Sequence, residues 1–258
     1  MIFRTLPPFG GDSRAVAEIV RGIMDGKTNN TGTVTLNTGN ATTTTITDAR
    51  IGVESKIILI PYSANAYTFG LPYGAFFDLN DQTAASTTTA YPVTFSNTDL
   101  SNNVYLSNSS RINVRVAGKY NVQFSVQFAN ADTQIRDSDL WLRKNGVNVA
   151  NSNSQFSIPS SHGGIEGHLI AALNLFVDLA ANDYVELVWS ATNTQVRLEH
   201  IAAQASPTRP ATPSVILTVQ HISGGPIVYV SSVTNGSATI THFANNVADV
   251  TFGYVVVG

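Results

Sequence analysis

The sequence predicts an all-β protein, and three observations support that prediction. Only 12% of the 258 residues are charged, about half the share in an average soluble domain, and Thr, Asn and Ser take the place of the missing charges. These side chains suit solvated strand faces and turns better than helix surfaces. Apolar and polar residues also alternate with a period of two in one segment after another, and Gly, Asn and Pro turn signals separate the segments. This pattern is typical of many short antiparallel strands.

The first eleven residues predict an extended apolar arm. A Pro-Pro pair and a Gly-Gly pair prevent this segment from forming a helix. Its apolar side chains therefore need another surface to pack against. We predict that the arm anchors the protein through Ile2, Phe3, Leu6 and Phe9.

A short helix is predicted over residues 13–25. Asp12 stands where an N-cap belongs, and Gly26 stands just after the end. Apolar residues at 16, 19, 20, 23 and 24 form one stripe at helical spacing. Since a helix of this length is marginal alone, the stripe must pack on a sheet or on a neighbouring subunit. Packing on its own domain is the favoured alternative.

Three β features follow the helix. Residues 31–36 and 42–46 alternate around a Gly39-Asn40 turn, which predicts a hairpin. The apolar run 57–60 is closed by Pro61 and predicts a strand that is buried on both faces. Residues 63–66 are expected to form only a connection.

The central part, 74–222, predicts a β-sandwich or jelly roll. Its clearest strand is 120–128, where every second residue is apolar and the residues between are polar. A second clear feature is a hairpin over 139–149 that turns at Lys144-Asn145-Gly146. Many short strands with alternating faces are typical of sandwiches and jelly rolls. The other predicted strands cover 75–79, 91–95, 104–106, 111–116, 169–179, 184–190, 196–200 and 215–222.

The last segment repeats the style of residues 31–60. Strands are predicted over 227–233, 238–242 and 250–257, with an Asn235-Gly236 turn between the first two. The segments on either side of the central part are each too small to bury a core alone. We therefore predict one discontinuous β domain, 12–66 and 225–258, into which the domain 74–222 is inserted. Two separate small modules are the weaker alternative.

The central part resembles the jelly-roll superfamily of complement globular heads and tumour necrosis factor. The resemblance rests on VAGKY at 116–120, LWLRKNG at 140–146, the alternating apolar series 175–187 and TPSVILTV at 212–219. It covers about 145 residues, and it implies a TNF-like jelly roll that forms a homotrimer. The predicted fold class is thus a TNF-like jelly roll inserted in a second small β-sandwich or barrel domain, with one short N-terminal helix.

A narrower resemblance is to virion proteins of tailed bacteriophages. It rests on WLRKNG at 141–146, PTRP at 207–210, the opening 12–36 and the ending 240–258. It implies a capsid decoration or cement protein, a homotrimer whose outer domain fastens to the major capsid protein while the jelly roll projects as a knob. The alternative is a tail-fibre or head-fibre protein that recognises a host surface glycan with loops such as 130–138 and 151–167.

Candidate metal ligands occur in two places. His162, Glu166 and His168 lie within seven residues, and Asp132, Asp137 and Asp139 within eight. Imidazole and carboxylate groups are common metal ligands, but flexible Gly-rich or solvated loops explain both groups better, so no metal is expected. The chain has no P-loop, dinucleotide fingerprint or nucleophile elbow. It is therefore expected to bind no cofactor and not to be an enzyme.

Composition also limits the partners and the location. A formal charge of −3 offers no basic surplus for nucleic acid. No apolar run approaches the ~20 residues of a membrane span, and the absence of cysteine rules out disulfides and thiolate chemistry. No leader is recognised at the start. The expected place is the capsid surface of a virion that assembles in the host cytoplasm.

Overall fold

The structure, a computed structural model, describes residues 12–25, 29–69, 71–222 and 228–258. Within these ranges the chain forms two helices and 22 strands. The prediction of an all-β protein with one short N-terminal helix is confirmed. The predicted anchoring residues Ile2, Phe3, Leu6 and Phe9 lie outside the described residues.

The elements fall into three consecutive parts of the chain. The first part contains α1 (Ser13–Met24), β1 (Thr31–Thr35), β2 (Ala41–Thr47), β3 (Lys56–Pro61) and α2 (Ala64–Thr68). The central part contains β4 (Tyr73–Asp78), β5 (Gln82–Thr83), β6 (Tyr91–Pro92), β7 (Asn97–Asn102), β8 (Val104–Ser107), β9 (Arg111–Val114), β10 (Gly118–Asn130), β11 (Arg136–Lys144), β12 (Val147–Asn148), β13 (Ser154–Ile158), β14 (Gly167–Leu179), β15 (Tyr184–Ala191), β16 (Val196–Leu198), β17 (Gln204–Ala205), β18 (Thr208–Arg209) and β19 (Val215–His221). The last part contains β20 (Val228–Thr234), β21 (Ser237–Asn245) and β22 (Thr251–Val257).

The central part is a sandwich of two antiparallel sheets. In one sheet β14, β10, β19, β4 and β7 lie side by side, and β16 and β5 extend it. In the other, β15 lies between β11 and β9, and β8 follows β9. One hydrophobic cluster fills the space between the sheets, with Trp189, Tyr120, Phe76 and Phe128 among its largest fully buried side chains.

The pattern at 120–128 predicted the central strand of the sandwich correctly. Tyr120, Val122, Phe124, Val126 and Phe128 all point into the core of the sandwich from β10. The hairpin around Lys144-Asn145-Gly146 is confirmed too, because β11 and β12 pair across it. Asn145 and Gly146 both have positive φ angles, as a tight two-residue hairpin turn requires.

The two outer parts of the chain share a second hydrophobic cluster. Leu36 and Ile46 come from the first part, and Ile240, Phe252 and Val256 come from the last. Two three-stranded sheets surround this cluster, in the orders β1-β22-β3 and β2-β21-β20. Each sheet thus combines strands from both ends of the chain. In sequence, the strands of the sandwich lie between these two ends. The exact domain limits, 12–66 with 225–258 and 74–222, stay predictions.

The predicted hairpin over residues 31–46 is wrong. β1 pairs with β22, whereas β2 pairs with β21, so the two strands belong to different sheets. The turn itself is present, since Gly39 and Asn40 both have positive φ angles. Local alternation identified the strands, but the long-range partners at the other end of the chain decided their pairing.

The prediction that residues 57–60 are buried on both faces is also wrong. β3 lies at the edge of its sheet and pairs with β22 alone. Ile57 and Leu59 pack against the second cluster, whereas Ile58 and Ile60 are 53% and 54% exposed. The run is apolar on both faces, but the residues that the structure describes cover only one of them.

The first helix forms as predicted, but it does not pack as expected. Asp12 caps α1 by accepting a hydrogen bond from the Ala15 amide at 2.7 Å. None of the helix residues is buried, so the expectation that its stripe packs on its own domain is wrong. Residues 63–66, expected to be a connection, begin α2 instead. Ala66 in α2 and Phe69 just after it fill the second cluster beside β3 and β22.

An ion pair fastens the loop after β2 to the second cluster. Asp48 accepts hydrogen bonds from Arg50 Nε at 2.8 Å and from the Tyr254 hydroxyl, also at 2.8 Å. Arg50 Nη2 in turn donates to the Thr31 carbonyl at 3.1 Å. The Arg50 guanidinium beside Asp48 holds the pKa of that carboxyl well below its usual range.

We expect this pair to make stability depend on pH. Because the pKa of Asp48 is lowered by folding, its contribution is fully present above about pH 4, the pKa of an unfolded Asp. It is lost as the pH falls below that value. Asp48→Asn should cost about 1 kcal/mol at pH 7, since Arg50 is partly exposed. Urea unfolding between pH 7 and 2 measures this effect. The free energy of unfolding of Asp48→Asn should fall less at acid pH than that of the wild type. An equally steep loss in the variant would contradict this assignment.

Candidate functional site

The outer face of the sheet that contains β10 is the candidate site, and it carries no charge over three consecutive rows of residues. The rows follow from the pairing of β14, β10, β19, β4 and β7. We call the outward residues of these strands the neutral face. Its first row is Phe176, Asn121, Gln220 and Tyr73, its second is Asn174, Gln123, Thr218, Ala75 and Leu100, and its third is Ala172, Ser125, Ile216 and Phe77. Ile170 and Gln127 lie beyond the third row.

Large apolar side chains stand exposed on the neutral face. Phe176 is 69% exposed, Ile170 61% and Leu100 55%, and Tyr73 and Ile216 are also exposed. Between β4, β10 and β19 the face opens into a mainly apolar cleft of about 200 Å³. Polar residues of β10 separate Phe176 and Ile170 on one side from Leu100, Tyr73 and Ile216 on the other. The face therefore combines exposed apolar side chains with neutral polar ones, a composition that a protein partner can cover.

Charged groups lie only around the neutral face. Lys119 and Asp178 form a cross-strand pair at one end, next to the row of Phe176. His168 marks the other end. At the β7 edge, Asp99 lines a cleft together with Ala75, Phe77 and Ile216 of the face. A partner that leaves this edge open could therefore cover the neutral face without burying an unpaired charge, which is the costly event at an interface.

The outer face of the second sheet is of a different kind. Asp137, Asp139 and Arg143 project from β11, because the residues between them point into the core. On this face Glu186 accepts a hydrogen bond from Ser110 at 2.8 Å and pairs with Arg111. The two faces of one sandwich thus differ in charge, although both sheets cover the same core.

A second exposed apolar surface belongs to the outer parts of the chain. On β3 and just after it, Ile58, Ile60 and Tyr62 are more than half exposed. Nearby in sequence, Tyr67 is 74% exposed on α2. The stripe of α1 adds Val16, Val20, Ile23 and Met24, all of which are exposed.

The predicted His162, Glu166 and His168 group does not converge on one point. Both Glu166 oxygens accept hydrogen bonds from the Arg197 guanidinium, at 2.9 and 2.5 Å, and this lowers the pKa of Glu166. His168 Nε2 lies 3.4 Å from Glu199 instead. His162 pairs with the backbone of Ile165 in a tight turn. The structure therefore assigns Glu166 to an ion pair.

The predicted aspartate group is dispersed as well. Asp132 pairs with Arg136 at 2.5 Å, Asp137 accepts a hydrogen bond from Ser157 at 2.7 Å, and Asp139 accepts one from Asn153 at 3.0 Å. Across the described ranges, no three His, Asp or Glu side chains are placed to hold one metal ion.

Sequence reasoning missed that the two tryptophans have opposite roles. Trp189 is fully buried in the sandwich core, whereas Trp141 lies on the outer face of β11. The alternation contained this signal, because Leu140 and Leu142 on either side of Trp141 are fully buried. Phe176 could have been placed on the outside in the same way, because Leu175 and Val177 on either side of it pack in the sandwich core.

Comparison of the sequence with known protein families finds no match, and comparison with curated proteins finds none. Within the part of the chain that the structure describes, no helix has both the length and the apolar character needed to cross a lipid bilayer.

Proposed function

We propose that the protein is a non-enzymatic structural component of a tailed-phage virion: a homotrimer that decorates or cements the capsid. The observation that carries this proposal is the neutral face. It is a patch with exposed Phe176 and Ile170, ringed by charge, on a sheet whose partner sheet is charged outside. The sequence resemblance to phage virion proteins supplies the setting.

The occupant of the neutral face is a second copy of the same chain. Five strands spaced about 4.8 Å apart make a surface about 24 Å wide. Three rows and their flanks extend it to about the same length, which gives on the order of 600 Å² before side-chain relief is counted. A stable interface buries about 800 Å² on each partner. In a closed ring each copy gives this face to one neighbour and a second surface to the other, so one copy buries on the order of 1,200 Å² in all. Three copies suit the local three-fold axes of a capsid.

The outer parts of the chain form the attachment side. Their exposed apolar residues on β3 and α1 belong to the same part of the sequence as the predicted apolar arm with Ile2, Phe3, Leu6 and Phe9. These surfaces would pack on the major capsid protein, while the sandwich projects outward. A partner of this kind explains why α1 has an apolar stripe of which no residue is buried by the described part of the chain.

Deletion of residues 1–11 from the phage gene tests the attachment. We expect purified wild-type virions to carry the protein in hundreds of copies, as seen by gel densitometry against the major capsid protein. Virions of the deletion mutant should lose it, because the anchoring side chains are gone. The truncated protein should still be trimeric in solution, because the neutral face is intact.

Copy number also separates the alternative function. A tail-fibre or head-fibre protein would be present in a few tens of copies at most. Such a count would overturn the decoration role and leave the trimer untouched. Unchanged occupancy after the deletion would show instead that the arm does not anchor the protein.

A further inference from the structure

A groove of about 380 Å³ lies on the outer face of the second sheet, opposite the neutral face across the sandwich. The strand residues Asp139 and Trp141 form one side of it, with Ser190 of β15 beside them. The segment after β12 folds back to form the other side. The groove is lined by Asp139, Trp141, Asn148, Val149, Asn151, Asn153 and Ser190.

Hydrogen bonds fix the groove in shape. Trp141 Nε1 donates to Asn148 Oδ1 at 2.9 Å, which orients the indole. Ser152 is buried below the segment, where its hydroxyl accepts from the Leu142 amide at 3.0 Å and donates to the Val149 carbonyl at 2.8 Å. A site held in this way loses little entropy when a ligand binds.

Three polar groups in the groove are available to a ligand. Asp139 uses Oδ1 to accept from Asn153 at 3.0 Å, which leaves Oδ2 as an acceptor. The Asn151 amide and the Ser190 hydroxyl each have both donor and acceptor capacity. Among the described residues, neither of these two side chains forms a hydrogen bond within the chain. The groove thus presents an aromatic ring beside mixed donors and acceptors.

From this combination we propose that the groove binds a neutral saccharide. A pyranose ring has an apolar C–H face that packs on an aromatic ring, whose face is electron-rich. Its edge carries hydroxyl groups that both donate and accept, as carboxylate, amide and hydroxyl partners require. The volume lies within the range of small-molecule sites. Asp139 is the one ionisable residue in the lining. Arg143 lies on the other side of Trp141 from Asp139 and contacts Asn148 at 3.4 Å, so an acidic sugar whose carboxylate lies on the Asp139 side is repelled.

This inference is independent of the trimer. The groove and the neutral face lie on opposite sheets of the sandwich. A contact through the neutral face uses none of the residues that line the groove, and three open grooves on one trimer would bind a multivalent glycan more tightly than one.

Saccharide binding by the full chain tests the proposal. An array of neutral and acidic oligosaccharides identifies the ligand class, and titration calorimetry with glucose, galactose, mannose, N-acetylglucosamine, glucuronic acid and N-acetylneuraminic acid measures affinity. We expect neutral sugars to bind at least tenfold more tightly than acidic ones. Trp141→Ala should weaken binding at least tenfold, and Trp141→Phe, which retains an aromatic ring, should recover most of the loss.

Two further variants make the result specific. Tyr67→Ala also removes an exposed aromatic ring, but one on α2, and it should leave binding unchanged. Asp139→Asn keeps the shape of the side chain and should reduce the discrimination against acidic sugars. Circular dichroism checks that each variant is folded. The proposal is overturned if no neutral saccharide binds on the array, if Trp141→Ala binds as tightly as the wild type, or if acidic sugars bind equally well.

Discussion

The double variant Ile170→Asp, Phe176→Asp should be monomeric. Both side chains lie on β14 in the neutral face and are mostly exposed in the single chain, so the change should not disturb the fold. In the trimer each aspartate would be buried without a partner charge, which costs several kcal/mol. A loss of about 4 kcal/mol per interface weakens association roughly 1,000-fold.

Light scattering during size-exclusion chromatography measures the outcome. The wild type should elute at about 82 kDa, three times the 27.5 kDa of the chain, and the double variant at the mass of one chain. Val147→Asp is the matched control, because Val147 is 71% exposed on the β11–β12 hairpin of the other sheet. That control should remain trimeric. A monomeric wild type would refute the proposed assembly, and a trimeric double variant would refute the neutral face as its interface.

Asn245→Ala should strongly destabilise the part of the protein built from the two chain ends. Asn245 is fully buried, where its Nδ2 donates to the carbonyls of Asn37 and Val247, both at 3.1 Å, and its Oδ1 accepts from the Val247 amide at 2.7 Å. Alanine would leave these three backbone groups without partners, and a buried unsatisfied group costs about 1–3 kcal/mol. We expect a loss of about 3 kcal/mol or more in the free energy of unfolding.

The contacts of Asn245 explain why its loss should destabilise several distant segments at once. Its backbone carbonyl accepts from the Asn40 amide at 3.0 Å. It also forms an isolated β-bridge with Val116, which lies between the sandwich strands β9 and β10 and packs in the second cluster. The side chain therefore holds together segments that are more than a hundred residues apart in sequence.

Urea denaturation followed by circular dichroism measures this loss. Asn246→Ala is the matched control, because the neighbouring amide makes exposed hydrogen bonds to Asn40, and removing it should cost about 0.5 kcal/mol or less. Similar midpoints for the two variants would show that Asn245 has no special structural role.

Local sequence patterns determined much of the fold. Strict alternation over 120–128 identified the central strand of the sandwich, because a side-chain period of two leaves only one way to bury Tyr120 and Phe128 together. The N-cap of α1 at Asp12 and the turns at Asn145-Gly146 and Asn235-Gly236 were equally readable, whereas the predicted end at Gly26 lies outside the described residues. Each of these features depends on residues that are close together in the chain.

Tertiary structure decided where each element packs. The sequence predicted that the two ends of the chain share a domain, but its local patterns paired β1 with β2. The structure pairs them instead with β22 and β21, strands some 200 residues away. The sequence identified the acidic and histidine residues of the candidate metal sites but not their partners. Arg197, 31 positions from Glu166, donates hydrogen bonds to both of its carboxylate oxygens.

The low charge of this chain shows the same division. By itself the sequence determined that only 12% of the residues are charged and that most strands have one polar face. Only the tertiary structure decided where the charges go: around the neutral face and onto the opposite sheet, beside Trp141. The reason is physical, since alternation assigns a residue to the inside or the outside of its own strand, whereas a surface is formed by strands that meet only in the folded sheet.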